Sequence, residues 1–342
     1  MGWLVAFAFA GSLANADSGY WPIVERYRGG AHAEAVSDLS RLPAAAVAHE
    51  VLRIAGLKEE AERCTSCGAR TRLQELPLLA AAMLHTDRAW PGGNAVAQVA
   101  QIRVADLLLQ AARLVPGPNE DFARRWHLAV MLKAFARTDG TLALSLGREG
   151  LEDFPDDDGL LLAMGTLVES LASLGPGGPA ALEGRSLHRD RLVEAAKLLA
   201  AAADNAPDPA EALVRLGRVQ ALLGQREATA TLTSALEGTK DPRLVSLARL
   251  FLGGVFENRG RFADAAREYG RAVSAVPAGQ AARFALSHAL RRQGEMSGAQ
   301  QALDAALSWP PRLSDADPYW VYPWGHSGEA ESMLARLREA AR

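Results

Sequence analysis

The sequence predicts an all-α fold, an array of stacked helical hairpins, and three observations carry that expectation. Ala, Leu, Arg and Glu dominate while only three Ile occur and aromatics make up 6% of the chain, a helix-forming mixture poor in the side chains that fill pleated sheets. A pattern of small and large apolar residues recurs every 34 residues in the C-terminal half. Prolines close successive pairs of periodic segments, where a helix must stop. The charge balance narrows the class further: 37 Lys and Arg against 40 Asp and Glu, with 49% hydrophobic residues, excludes disordered, collagen-like and polybasic chains.

Taken from the amino terminus, residues 1–16 read as a signal peptide. Trp3 to Gly11 is an uninterrupted apolar run, Ala14-Asn15-Ala16 is a small-x-small cleavage pattern, and Asp17 begins a polar chain. No Lys or Arg precedes the run, so a buried helical turn in a cytoplasmic protein is the alternative. The run is shorter than the ~20 apolar residues a membrane span requires, and no span is expected elsewhere. Residues 17–123 form a degenerate helical-hairpin region. Ile23 to Leu42 looks like half a hairpin unit before Pro43, and apolar periodicity predicts helices near Ala44 to Ile54, Leu73 to Asp87 and Val96 to Leu114.

Residues 124–311 hold the regular part. Gly260, Ala265, Tyr269, Ala272 and Pro277 recur as Gly294, Ala299, Leu303, Ala306 and Pro311, each pair 34 apart. Leu213, Leu216-Gly217, Gly224, Ala228, Leu232 and Ala235 keep the pattern upstream, as do Leu161, Met164-Gly165 and Val168 with Ala195, Leu199, Ala202 and Pro207. A first unit ends in Ala143, Gly147, Gly150 and Pro155. Five units result, with a Gly- and Pro-rich insertion at about 174–191, read as a surface loop. Residues 312–342 comprise an aromatic segment and a polar capping helix.

This 34-residue pattern resembles the tetratricopeptide repeat, a pair of antiparallel helices per unit. The resemblance implies a right-handed superhelical solenoid whose first helices line a concave groove, and a non-enzymatic interaction scaffold that binds a protein or peptide partner there. By alignment the inward first-helix residues are Val214, Arg218, Leu250, Glu257, Asn258, Phe284, His288, Arg291 and Arg292, with Glu169 on an earlier helix. Family members that grip a C-terminal carboxylate present Lys, Asn and Arg on successive first helices. Here Val214, Leu250 and Phe284 stand at one such level and Arg218, Gly254 and His288 at the next, which predicts an apolar-centred groove with arginines steering an acidic or amphipathic segment.

Chemical motifs are sparse. Cys64 and Cys67 form a lone CxxC with no second ligand pair for zinc. His49-Glu50 opens a metalloprotease-like motif, but Arg53 stands where the second His belongs. Gly175 to Ala180 mimics a dinucleotide glycine pattern without a strand before it, and Asp156-Asp157-Asp158 reads as helix capping rather than a calcium loop. No catalysis, cofactor, metal or nucleic-acid binding is expected. Residues 317–326 concentrate four aromatics. They are expected to cover the exposed end of the array, or alternatively to form a platform that makes the protein a peptide- or glycan-binding module. The combined reading is an interaction scaffold in a bacterial envelope assembly, periplasmic or secreted.

Overall fold

The computed structural model describes residues 19–63, 73–92, 94–115, 117, 119–173, 181–308 and 317–342. The signal-peptide stretch, Cys64, Cys67 and the Gly175–Ala180 motif therefore lie outside the described residues. The described part is helical throughout, with no strand among the described residues. It divides into two compact units.

The first unit contains α1 (Tyr20–Arg28), α2 (His32–Arg41), α3 (Ala44–Arg63), α4 (Glu75–Ala89) and α5 (Ala95–Ala112), with residues 335–342 added. The Ile23 to Leu42 stretch is a complete short hairpin rather than half of one, and α3 runs nine residues beyond the expected Ile54. Tyr20 and His85 meet at 3.1 Å in the core, and His85 Nδ1 reaches Gln101 at 2.7 Å. Burial holds the His85 imidazole down at about 4 against the opposing bond from Gln101, so this histidine is a neutral core group.

The second unit, from Arg124 on, is a run of helical hairpins: α6 (Asn119–Ala136), of which residues 124–136 belong here, with α7 (Gly140–Asp153), α8 (Asp158–Ser173) with α9 (Ala181–Asn205), α10 (Ala210–Leu222) with α11 (Ala228–Gly238), α12 (Pro242–Asn258) with α13 (Phe262–Ala275), and α14 (Gln280–Gln293) with α15 (Met296–Leu307). Short polar side chains start several of these helices. Asp139 caps α7, Asp157 accepts from Leu160 N at 2.7 Å at the head of α8, and Asp241 caps α12 with Pro242 at its first position. The recurrent glycine at the end of first helices is a turn residue: Gly224, Gly260 and Gly294 adopt φ of 72°, 73° and 87°, left-handed backbone that side chains resist.

The small residues inside the helices are there for close approach. A Cβ on Gly253 would lie 2.4 Å from the Tyr269 ring, and one on Gly217 2.5 Å from Leu232, so first and second helices of a pair touch through these positions. Each hairpin leaves an apolar face that the next covers, as α11 does with α12 and α13 with α14. Of the expected surface loop at 174–191, residues 181–191 are helical. Residues from Ala181 onward belong to α9, and His188 Nδ1 lies 2.7 Å from the carbonyl of Ala172 while Arg191 donates to that of Leu171 at 3.2 Å. The end of α8 leaves carbonyls without helical partners, and these two side chains satisfy them.

Candidate functional site

The groove of the second unit is lined by first helices, and its centre is occupied by the chain itself. After α15, Asp317 starts a short helix, α16 (Pro318–Val321), which continues through 3-10 turns at Tyr322–Trp324 and Ser327–Glu329 into α17 (Ala330–Ala340). This segment crosses the first helices one after another. Asp317 accepts from the N–H of Ala281 on α14 at 2.8 Å, and Phe251 on α12 meets the rings of Tyr319 and Tyr322 at 6.5 and 5.2 Å. Arg215 on α10 donates to the Tyr322 carbonyl at 3.2 Å, Ser170 on α8 to the Pro323 carbonyl at 2.5 Å, and Trp324 lies 5.7 Å from the Phe135 ring on α6. The aromatic cluster thus lies along the inner face, not over the end of the array.

The centre of that contact is a buried ionic network. Glu169 follows the apolar Leu167-Val168 on α8 and is 1% exposed. The Tyr322 hydroxyl donates to its two oxygens at 2.8 and 3.0 Å, Arg218 donates at 2.5 Å and Arg215 at 3.5 Å. Arg215 also lies 4.3 Å over the Tyr322 ring and donates to Glu211 at 3.0 Å. Burial drives the Tyr322 hydroxyl well above its ordinary range, and the Glu169 charge adds to this, so it remains a donor. Burial pulls the Arg215 guanidinium down, but Tyr322, Glu211 and Glu169 more than offset this and raise it. A buried charge is tolerated only when its partners surround it, and each member here has several.

At the segment's far end His326 bridges Glu211 and Glu329, both at 2.8 Å. The hydrogen bond to Glu211 raises the imidazole to about 9 against the cost of burial. Burial would raise the Glu211 carboxyl, but His326 and Arg215 hold it at about 2.

Beside the segment the groove stays open. A cavity of about 600 Å³ is walled by Leu250, Phe251, Gly254 and Asn258 of α12, Phe284 and Ala285 of α14, Arg218 and Leu222 of α10, and Tyr319 and Trp320 of the terminal segment. Four of the alignment-derived residues, Arg218, Leu250, Asn258 and Phe284, therefore meet at one cavity. Val214 is fully buried against Leu247 and Tyr322 and does not reach the open surface. Glu257 accepts from the Tyr269 hydroxyl at 2.8 Å and faces His288 Nδ1 at 2.9 Å. Arg291 is exposed, and Arg292 lies 4.3 Å over the Phe262 ring. Tyr319, Trp320 and Tyr322 were not legible as groove residues from the helical spacing. The one local signal was Glu169, an acid in the apolar run of α8 that required a buried partner.

No family model matches the sequence, and no curated protein resembles it in sequence. Among solved structures, one titled "Crystal structure of MamA" aligns at 19% identity over 51% of this chain and 91% of that one, with a TM-score of 0.41. A second MamA structure aligns at 17% identity over 56% and 94%, TM-score 0.43. MamA from Desulfovibrio magneticus RS-1 aligns at 15% identity over 54% and 93%, TM-score 0.43. The tetratricopeptide-like reading rests on the 34-residue recurrence and on the hairpins themselves. Among the described residues no group of three or more His, Cys, Asp or Glu could hold a metal ion, and no helix is long and apolar enough to cross a membrane.

Proposed function

We propose that the protein is a non-enzymatic interaction scaffold that seats a segment of a protein partner in the open part of this groove. The observation that carries the reading is the cavity of about 600 Å³, at which three large apolar side chains stand in water: Phe284 is 39% exposed, Leu222 51% and Trp320 51%. Single exposed apolar residues are ordinary, but several around one concavity mark a recognition surface. The rival, a glycan-binding aromatic platform, is less well supported because Tyr322 is buried and Trp324 leans on Phe135, which leaves two aromatics of the cluster at the cavity.

A photoreactive phenylalanine at Phe284 in the producing cell tests the reading. A crosslinked protein adduct is expected there, absent with the same group at exposed Ser274 on α13, and abolished when Gly254→Leu fills the cavity. An equal adduct from Ser274, or an adduct that survives Gly254→Leu, sinks it. An envelope location rests on the signal-peptide pattern. Mature protein beginning at Asp17 supports it, and retention of Trp3 to Ala16 in a cytoplasmic fraction overturns it.

A further inference from the structure

We infer that the chain's own terminal segment sets the specificity of this site, so that the cavity accepts one bulky apolar side chain, aromatic in preference to aliphatic, carried on an acidic stretch of the partner. The inference rests on the scaffold reading above and names what the site selects. An extended partner running the length of the groove would need the line already taken by Asp317 to Trp324, from Ala281 through Arg215 to Ser170. That occupant is built in. Removing it would strand Glu169 and Arg215 in the interior without the Tyr322 hydroxyl and carbonyl that they now use.

What remains is walled by Tyr319 and Trp320 of the segment, by Leu222 and Asn258 near the carboxyl ends of α10 and α12, and by Ala281 to Ala285 near the start of α14. Its walls carry four rings from three elements: Phe251, Phe284, Tyr319 and Trp320. Ring edges and faces in that number favour an aromatic guest, and the missing side chain at Gly254 supplies the depth, since a Cβ there would meet only the Tyr269 hydroxyl at 3.9 Å. A cationic guest is disfavoured because Arg218 already lies 5.3 Å over the Phe251 ring. At the carboxyl ends of α10, α12 and α14 stand exposed Arg226, Arg259, Arg291 and Arg292, with exposed Glu227 and Glu295. Arg261 is paired with Asp264 there, and the remaining four positive charges against two negative leave an excess that favours acidic flanks.

The test uses the full chain with 5-fluorotryptophan at its seven Trp positions, the Trp320 resonance being identified by its loss in Trp320→Phe. Capped peptides Glu-Asp-Phe-Asp-Glu, Glu-Asp-Ala-Asp-Glu and Lys-Lys-Phe-Lys-Lys are titrated by fluorine NMR. The Phe peptide with acidic flanks is expected to shift Trp320, to bind at least tenfold more tightly than the Ala peptide and at least fivefold more tightly than the Lys peptide, and to lose the shift in Gly254→Leu. Equal binding of the Phe and Ala peptides, preference for the Lys peptide, or an unmoved Trp320 at millimolar Phe peptide overturns the inference. If the Phe284 crosslink forms while Trp320 stays unmoved, specificity has been misassigned and the scaffold reading stands. Loss of the crosslink removes both.

Discussion

The two halves of the groove are built by opposite means. Over α8 and α10 the floor is ionic, with Glu169, Arg215 and Arg218 closed around Tyr322. Over α12 and α14 it is apolar and open, with Phe251, Phe284 and Gly254 at its surface. A buried charged network is satisfied by one partner geometry and penalises every other, whereas an apolar pocket constrains mainly size and shape. The ionic half is therefore committed to a segment of its own chain, and the apolar half keeps an open cavity.

The comparison is broken most severely at Glu169. Glu169→Ala leaves Arg215 and Arg218 without their shared carboxylate and should cost ~3–5 kcal/mol, read as a large fall in the unfolding midpoint. A loss below ~1 kcal/mol would mean that water replaces the carboxylate and the floor is not closed. Tyr322→Phe keeps the ring under Arg215 but removes the donor to Glu169, and should cost ~1.5–3 kcal/mol, the range for hydrogen bonds to charged groups. A neutral result would show the segment to be held by shape, as in the apolar half.

The latch at His326 sharpens the contrast more gently, because the imidazole side chain is 45% exposed and such pairs contribute ~0–1 kcal/mol. Its folded value of about 9 lies above the ordinary 6.5, so its contribution is complete below pH 6.5 and lost as pH rises through 9. Glu211, at about 2 against an ordinary 4.5, contributes fully above 4.5 and loses it as pH falls through 2. An NMR titration of His326 should show a midpoint near 9 that returns toward 6.5 in Glu211→Gln. A midpoint near 6.5 in the unmutated protein would detach the segment's end from α10. The smallest stability effect is expected in the open half. Phe284→Ala, at a position 39% exposed, should change stability by about 0.5 kcal/mol or less, yet weaken partner binding by ~1 kcal/mol or more. A large loss of stability there would show that the residue is part of the core and not a free surface.

The hairpin order was legible because its causes are local. Gly260 and Gly294 mark turns that need left-handed backbone, Gly253 and Ala265 mark crossings of adjacent helices, and Asp241-Pro242 marks a helix start. Each is a rule about residues a few turns apart, so it leaves a period in the chain. The insertion was misread for the same reason. Gly and Pro near residue 176 signalled a loop, but α9 already begins at Ala181, and the bonds of His188 and Arg191 to the end of α8 depend on where that end lies in space.

By itself the sequence determined a helical repeat array and the apolar character of Leu250 and Phe284. Only the tertiary structure decided what fills the groove. Tyr322 and Glu169 are 153 residues apart, and nothing in the neighbourhood of either specifies the other. A repeat period records which helix packs on the next. A single long-range pairing between a buried acid and a distant hydroxyl leaves no period, and it exists only once the hairpins have stacked and brought α8, α10 and α12 to one face.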